Sequence, residues 1–201
     1  MKRLFDPENP VMQFLAKVFN LMWLNLLVVL TSFPIFTIGT SLTAMSYVLF
    51  RMIEGDDTAI FKTFFHAFQQ NLKQTVVMTG LFLLSVVAGA TLIFVYGSTY
   101  FVLKVVGYAW IGYSTVIVLY LIAIISRYET SLEHHLLNAV KLVIAFAPRT
   151  IGIMALLLGY VMVCQVFFRI LAPVIFLLGV TLPSCIITLI MKDMFELLEN
   201  S

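Results

Sequence analysis

An all-α integral membrane bundle of six transmembrane helices is the architecture this sequence predicts, and three observations carry the prediction. Of 201 residues, 62% are hydrophobic and 11% charged, with a mean hydropathy of +1.05, which excludes an ordinary soluble domain because water would face too much apolar surface. The apolar residues form long runs without the alternation of membrane β-strands, so the spans must be helices, which satisfy their own backbone hydrogen bonds in hydrocarbon. Lys and Arg gather on one side of the predicted spans, the bias expected of cytoplasmic loops. No cleavable signal peptide is legible behind MKRLFDPENP, so the N-terminus is expected to be retained.

The first apolar run, residues 11–53, carries only Lys17 and Arg51 as charges. It is about twice as long as one crossing of a roughly 30 Å core needs. Ser32-Phe33-Pro34 lies near its middle; proline suits the first turn of a helix and pushes its predecessor toward extended geometry, which divides the run into two spans. The alternative is a five-span chain in which 34–53 is re-entrant. Further spans are predicted over 76–97, 101–126, 151–168 and 170–191. With six spans, Lys2, Arg3, Lys17, Arg51, Lys62, Lys73, Arg127, Lys141, Arg149 and Lys192 share one face, against Lys104 and Arg169 on the other. Leaving 34–53 unspanned moves Arg51, Lys62 and Lys73 away from the N-terminal charges and weakens the bias. The six-span topology puts both termini in the cytoplasm and leaves only short outer turns near 32–35, 97–101 and 168–171.

Two polar segments on the charged face have the pattern of amphipathic helices lying along the membrane surface. Over 58–73, Ile60, Phe61, Phe64, Phe65, Phe68 and Leu72 form one face, and Lys62, His66, Gln69, Gln70 and Lys73 the other. Over 130–148, Leu132, Leu136, Val140, Val143 and Ala147 form a looser stripe, away from Glu133, His134, Asn138 and Lys141. Arg51 and Lys73 bracket the first segment as Arg127 and Arg149 bracket the second, both at a shift of 76 residues. A weak internal repeat of span, surface helix, span within a single transmembrane domain would produce this, and so would chance.

Residues that could carry chemistry are sparse. No HExxH, paired aspartate, Ser/Lys arrangement or P-loop is present, and the acidic residues lie in the N-terminal segment, loops and C-terminal tail. The expectation is a protein that is not an enzyme, has no metal or other cofactor, and lacks the ionisable relay of a proton pump. His134 and His135 point about 100° apart on a helix and cannot both ligate one metal in the i, i+4 manner, so they and His66 are expected to be solvated at the interface. Glu54-Gly55-Asp56-Asp57 reads as a turn. Cys164 and Cys185 are expected at different depths as free thiols. Ser85 with Gly89 and Ala155 with Gly159 have the small-xxx-small spacing of helix packing.

Two sets of residues remain as candidates. Thr40, Ser41 and Thr43 in the second span and Thr181, Ser184 and Thr188 in the last are small and hydroxylated, which suits either close helix packing or a neutral hydrogen-bonding path through the bilayer. Lys62, His66, Gln69, Lys73, Glu133, His134 and Lys141 form a candidate cytoplasmic docking face.

The stretch NLMWLNLLVVLTSFPIFTIGTSLTAMSYV, Asn20 to Val48, followed by FKTFFHAFQQNLKQ, Phe61 to Gln74, resembles the YesL family of bacterial multi-pass membrane proteins, domain of unknown function 624. The resemblance covers nearly the whole chain, and the Pro-Ile-Phe-Thr-Ile-Gly run is its most specific part. It implies a plasma-membrane protein associated with carbohydrate uptake systems of the ABC type, and it supplies no catalytic residues. The expected partners are the lipid bilayer and a sugar ABC transporter or another membrane or cytoplasmic protein, with no nucleic acid. The expected function is a non-enzymatic accessory component of carbohydrate uptake; the alternative is a self-sufficient carrier or channel for a small neutral solute.

Overall fold

The computed structural model describes residues 10–56, 59–97 and 100–199; Lys2, Arg3, Asp57 and Ser98 lie outside them. Among the described residues the chain is helical throughout. The helices are α1 (Pro10–Thr31), α2 (Ile38–Ile53), α3 (Ile60–Thr91), α4 (Phe101–Arg127), α5 (Leu132–Ala145), α6 (Ala147–Val166), α7 (Phe168–Leu178) and α8 (Thr181–Glu199). Five helical segments, starting at Val11, Ile35, Ile60, Phe101 and Ala147, are long and apolar enough to cross a membrane.

The turn at Ser32-Phe33-Pro34 separates α1 from α2, as its chemistry requires. Pro34 is extended (φ −76°, ψ 121°) and caps a 3-10 turn, Ile35–Thr37, that leads directly into α2. The Thr37 hydroxyl closes the turn by donating to the carbonyls of Thr31 (2.6 Å) and Pro34 (2.7 Å). The stretch Ile35–Ile53 is one helical segment, long and apolar enough for a crossing.

α2 is the centre of the bundle and packs against α1, α3, α4 and α8. Its small residues permit this, because side chains such as Thr40, Ser41, Thr43 and Ala44 let neighbouring backbones approach closely. One apolar core joins α1, α2 and the start of α3 through Leu24, Met45, Leu49 and Phe64; a second joins α4, α5 and α8 through Tyr120, Leu121, Met191 and Met194. α6 is the least enclosed of the crossing-length helices. Among the described residues nothing lies against Gly152 or Gly159 on it and Ala155 is exposed, whereas Gly89 lies against Ile111 of α4 as its spacing predicts.

Two elements differ from the sequence reading, each for a physical reason. The segment 58–73 is not a separate helix, because no proline or glycine stands between Ala59 and Gly80 and α3 runs without interruption from Ile60 to Thr91 before a π-helical turn, Leu92–Tyr96. The corresponding break after α5 does occur, at Phe146, where Pro148 starts α6. The predicted span 170–191 is broken at Gly179 and Val180, since the Pro183 ring cannot donate to, and would clash with, the Gly179 carbonyl four residues earlier.

Candidate functional site

The break between α7 and α8 exposes backbone groups that a continuous helix would pair, and side chains from two other helices take them up. Buried Asn25 of α1 accepts hydrogen bonds at its Oδ1 from the Val180 N–H (3.0 Å) and the Thr181 N–H (3.3 Å). Tyr160 of α6 donates to the Gly179 carbonyl (2.7 Å), which Pro183 leaves without a helical donor. The Thr181 hydroxyl donates to the Leu21 carbonyl (3.3 Å), so the break stands level with the middle of α1. Asn25 and Tyr160 were not among the sequence-predicted candidates. Pro183 after Gly179 was the available signal.

The candidate polar path is divided among different interfaces. Thr75 donates to the Asn71 carbonyl, so Thr40 donates to Thr75 across α2 and α3 (2.7 Å). Ser41 bonds Thr31 of α1 (2.9 Å), and Thr43 donates back to the Gly39 carbonyl (2.8 Å). Ser184 and Thr188 likewise donate to carbonyls four residues earlier, at Val180 and Ser184. Of the described hydroxyl residues, Ser46 of α2 and Ser184 and Thr188 of α8 line a shared cavity, which α4 closes and which measures about 50 Å³. That is room for a few water molecules.

The ends of α2 and α4 and the starts of α3 and α5 make a polar face held together by side chains. Gly55, at φ +83°, makes the turn after α2, and Arg51 pairs with Asp56 across it. Arg127 reaches Glu54 (3.5 Å), Gln70 donates to Glu129, and Gln74 donates to the Thr130 carbonyl (3.2 Å). Lys62, His66, Gln69 and Lys73 of α3 and Glu133, His134 and Lys141 of α5 are all exposed, and the Gln70 and Gln74 contacts tie their two helices through the loop after α4.

His135 departs from the solvated state expected of it. The buried stripe of α5 is His135, Ala139 and Val143, spaced four apart, while Leu136 and Val140 are only half-buried. The imidazole lies 3.2 Å from the Thr130 hydroxyl. Burial pushes its pKa below the ordinary value near 6.5, with a smaller contribution from neighbouring His134, against the hydrogen bond to Thr130. Cys164 and Cys185 are both free. Among the described residues no group of three or more His, Cys, Asp and Glu is arranged to hold a metal.

The family described as "Protein of unknown function, DUF624" matches residues 21–126, just over half of the chain. The chain belongs to the DUF624 family. The DUF624 match takes in Asn25, the Pro34 turn, α2, α3 and α4, and ends before α5. No curated protein and no solved structure matches the chain. What DUF624 membership states directly is a family of unknown function, which agrees with a multi-pass helical membrane protein and adds no catalytic assignment.

Proposed function

We propose that this protein is a non-enzymatic accessory component of carbohydrate uptake in a bacterial plasma membrane, working through its polar face on a membrane or cytoplasmic partner such as a sugar ABC transporter. In this reading the chain crosses six times, with α7 and α8 forming the last crossing as a broken helix and both termini in the cytoplasm. Residues 60–73 of α3, together with α5, lie at the inner surface. The carbohydrate association comes from the family resemblance. The mode of action rests on one observation: Thr40, Ser41, Thr43, Ser184 and Thr188 spend their hydroxyls on helix and interhelix bonds, and the cavity that Ser184 and Thr188 line with Ser46 measures only about 50 Å³. A monosaccharide does not fit there. The exposed Lys62, Gln69, Lys73, Glu133 and Lys141 side chains supply the charged and hydrogen-bonding groups a partner would contact.

The second reading, a self-sufficient carrier for a neutral solute, draws on the break at Gly179 and Val180, because discontinuous helices at membrane depth line binding sites in many transporters. Two measurements separate them. Affinity purification from native membranes is expected to recover a stoichiometric partner that is lost in a Lys62→Glu/Lys73→Glu variant. Liposomes holding the purified protein alone are expected to show no sugar flux above empty liposomes; saturable flux there would replace the accessory reading with the carrier.

A further inference from the structure

A recess of about 440 Å³ lies between the end of α4, the exposed side of α5 and the C-terminal half of α8. Its volume falls in the range of small-molecule sites. Its apolar lining includes Ile124, Leu142 and Phe195, with the Tyr128 ring set edge-on to Phe195 (centroids 5.8 Å apart, 86°). Its polar lining is Thr130, Asn138, Lys141 and the buried His135.

The charge balance of this lining is one-sided. Lys141 is the cation among the described lining residues, and no carboxylate is among them. Of the acids close by in sequence, Glu129 accepts from Gln70 and Glu196 lies 3.7 Å from Lys192, while Glu133 and Asp193 are exposed and are not among the lining residues. A turn beyond Ala145, Arg149 holds a buried Nη1 with no hydrogen-bond partner among the described residues, and its guanidinium lies over the Phe146 ring. A lining that combines an ammonium, an amide and a hydroxyl with apolar side chains matches an oxyanion joined to an apolar body.

We propose that this recess binds a phosphate ester, with Lys141, Asn138 and Thr130 holding the phosphate oxygens and Ile124, Leu142 and Phe195 covering the organic part. The ester is either a phospholipid headgroup entering from the membrane or a soluble organic phosphate entering from the aqueous side. The recess lies almost wholly beyond the family-matched residues 21–126. The recess shares Lys141 with the docking face, but its test needs only the purified chain and so stands or falls apart from partner docking.

The test is titration of the purified full chain in neutral detergent with dihexanoyl phosphatidylglycerol, dihexanoyl phosphatidylcholine and glycerol 3-phosphate, read by thermal stability and by the imidazole NMR signals of His135. Saturable stabilisation by the phosphatidylglycerol alone identifies a lipid headgroup. Saturation by glycerol 3-phosphate as well identifies a soluble ester. In either outcome Lys141→Ala and Asn138→Leu weaken the affinity about tenfold, whereas Lys73→Ala, outside the recess, leaves it unchanged. Lys141 and Asn138 are exposed, so both variants keep the ligand-free melting temperature, which is measured alongside. No saturable response to either phosphate, or equal affinity in the Lys141→Ala protein, overturns the proposal.

Discussion

The stripe between α2 and α8 and the recess beside α5 are both polar patches on helices, yet they do opposite things with their polar groups. In the stripe, Thr43, Ser184 and Thr188 turn their hydroxyls back onto their own helices, and Thr40 and Ser41 are spent on neighbours. The space left is about 50 Å³. Around the recess, Asn138 and Lys141 point out from an exposed helix side into about 440 Å³. The difference teaches that hydroxyl content alone does not make a path. A threonine inside an α-helix has a carbonyl one turn back to satisfy it, as Thr43 and Thr188 show, while the longer Lys141 side chain carries its charge away from its own helix.

The most damaging way to disturb the closed region is to remove the side chain that seals the helix break. Asn25→Leu leaves the Val180 and Thr181 N–H groups buried without an acceptor, and the expected loss is about 2–4 kcal/mol. Thermal unfolding of the detergent-purified variant measures it, and an unchanged melting temperature would mean the break is held by something else. Next in size is Gly39→Ala. An added Cβ would overlap the Thr79 Oγ1 and come within 3.3 Å of the Thr75 backbone carbonyl, so α2 and α3 must separate at an expected cost of about 1–3 kcal/mol. A neutral result would show the α2 and α3 seam to be looser than its geometry.

A smaller effect belongs to the open region. His135 has a folded pKa below its unfolded value, so the unfolded state takes up the proton first as pH falls. Stability is therefore full above about pH 6.5 and declines below it. The melting temperature is expected to be lower at about pH 5.5 than at about pH 7.5, and the part due to this residue disappears in His135→Gln. A decline of the same size in that variant would assign the pH dependence to other groups.

The sequence made the helical class and the Pro34 turn legible because both depend on local rules: apolar run length and the missing proline N–H. The continuity of α3 was equally local but was obscured by its amphipathic first third. An amphipathic pattern says which face is buried and nothing about where a helix stops; only a breaker such as Pro148 does that. The break within the last predicted span was hidden for the converse reason, since hydropathy is indifferent to Pro183 while the backbone is not. Asn25 and His135 were beyond reach, because their partners lie on other elements or depend on which stripe of α5 turns inward. The polar path was legible as a set of residue types, but which hydroxyl faces which helix follows from packing alone.

Substituted-cysteine accessibility tests the contrast most directly. In a protein with Cys164 and Cys185 replaced by alanine, single cysteines are placed at Ser46, Ser184 and Thr188, and separately at Asn138 and Lys141, and exposed in inverted and right-side-out vesicles to a charged, membrane-impermeant thiol reagent. The closed stripe predicts no labelling at the first three positions from either side, with rapid labelling of the last two from the inner side. Labelling of Ser46, Ser184 and Thr188 at rates comparable to Asn138 would contradict the account, and would mean that water and solutes reach the seam between α2 and α8.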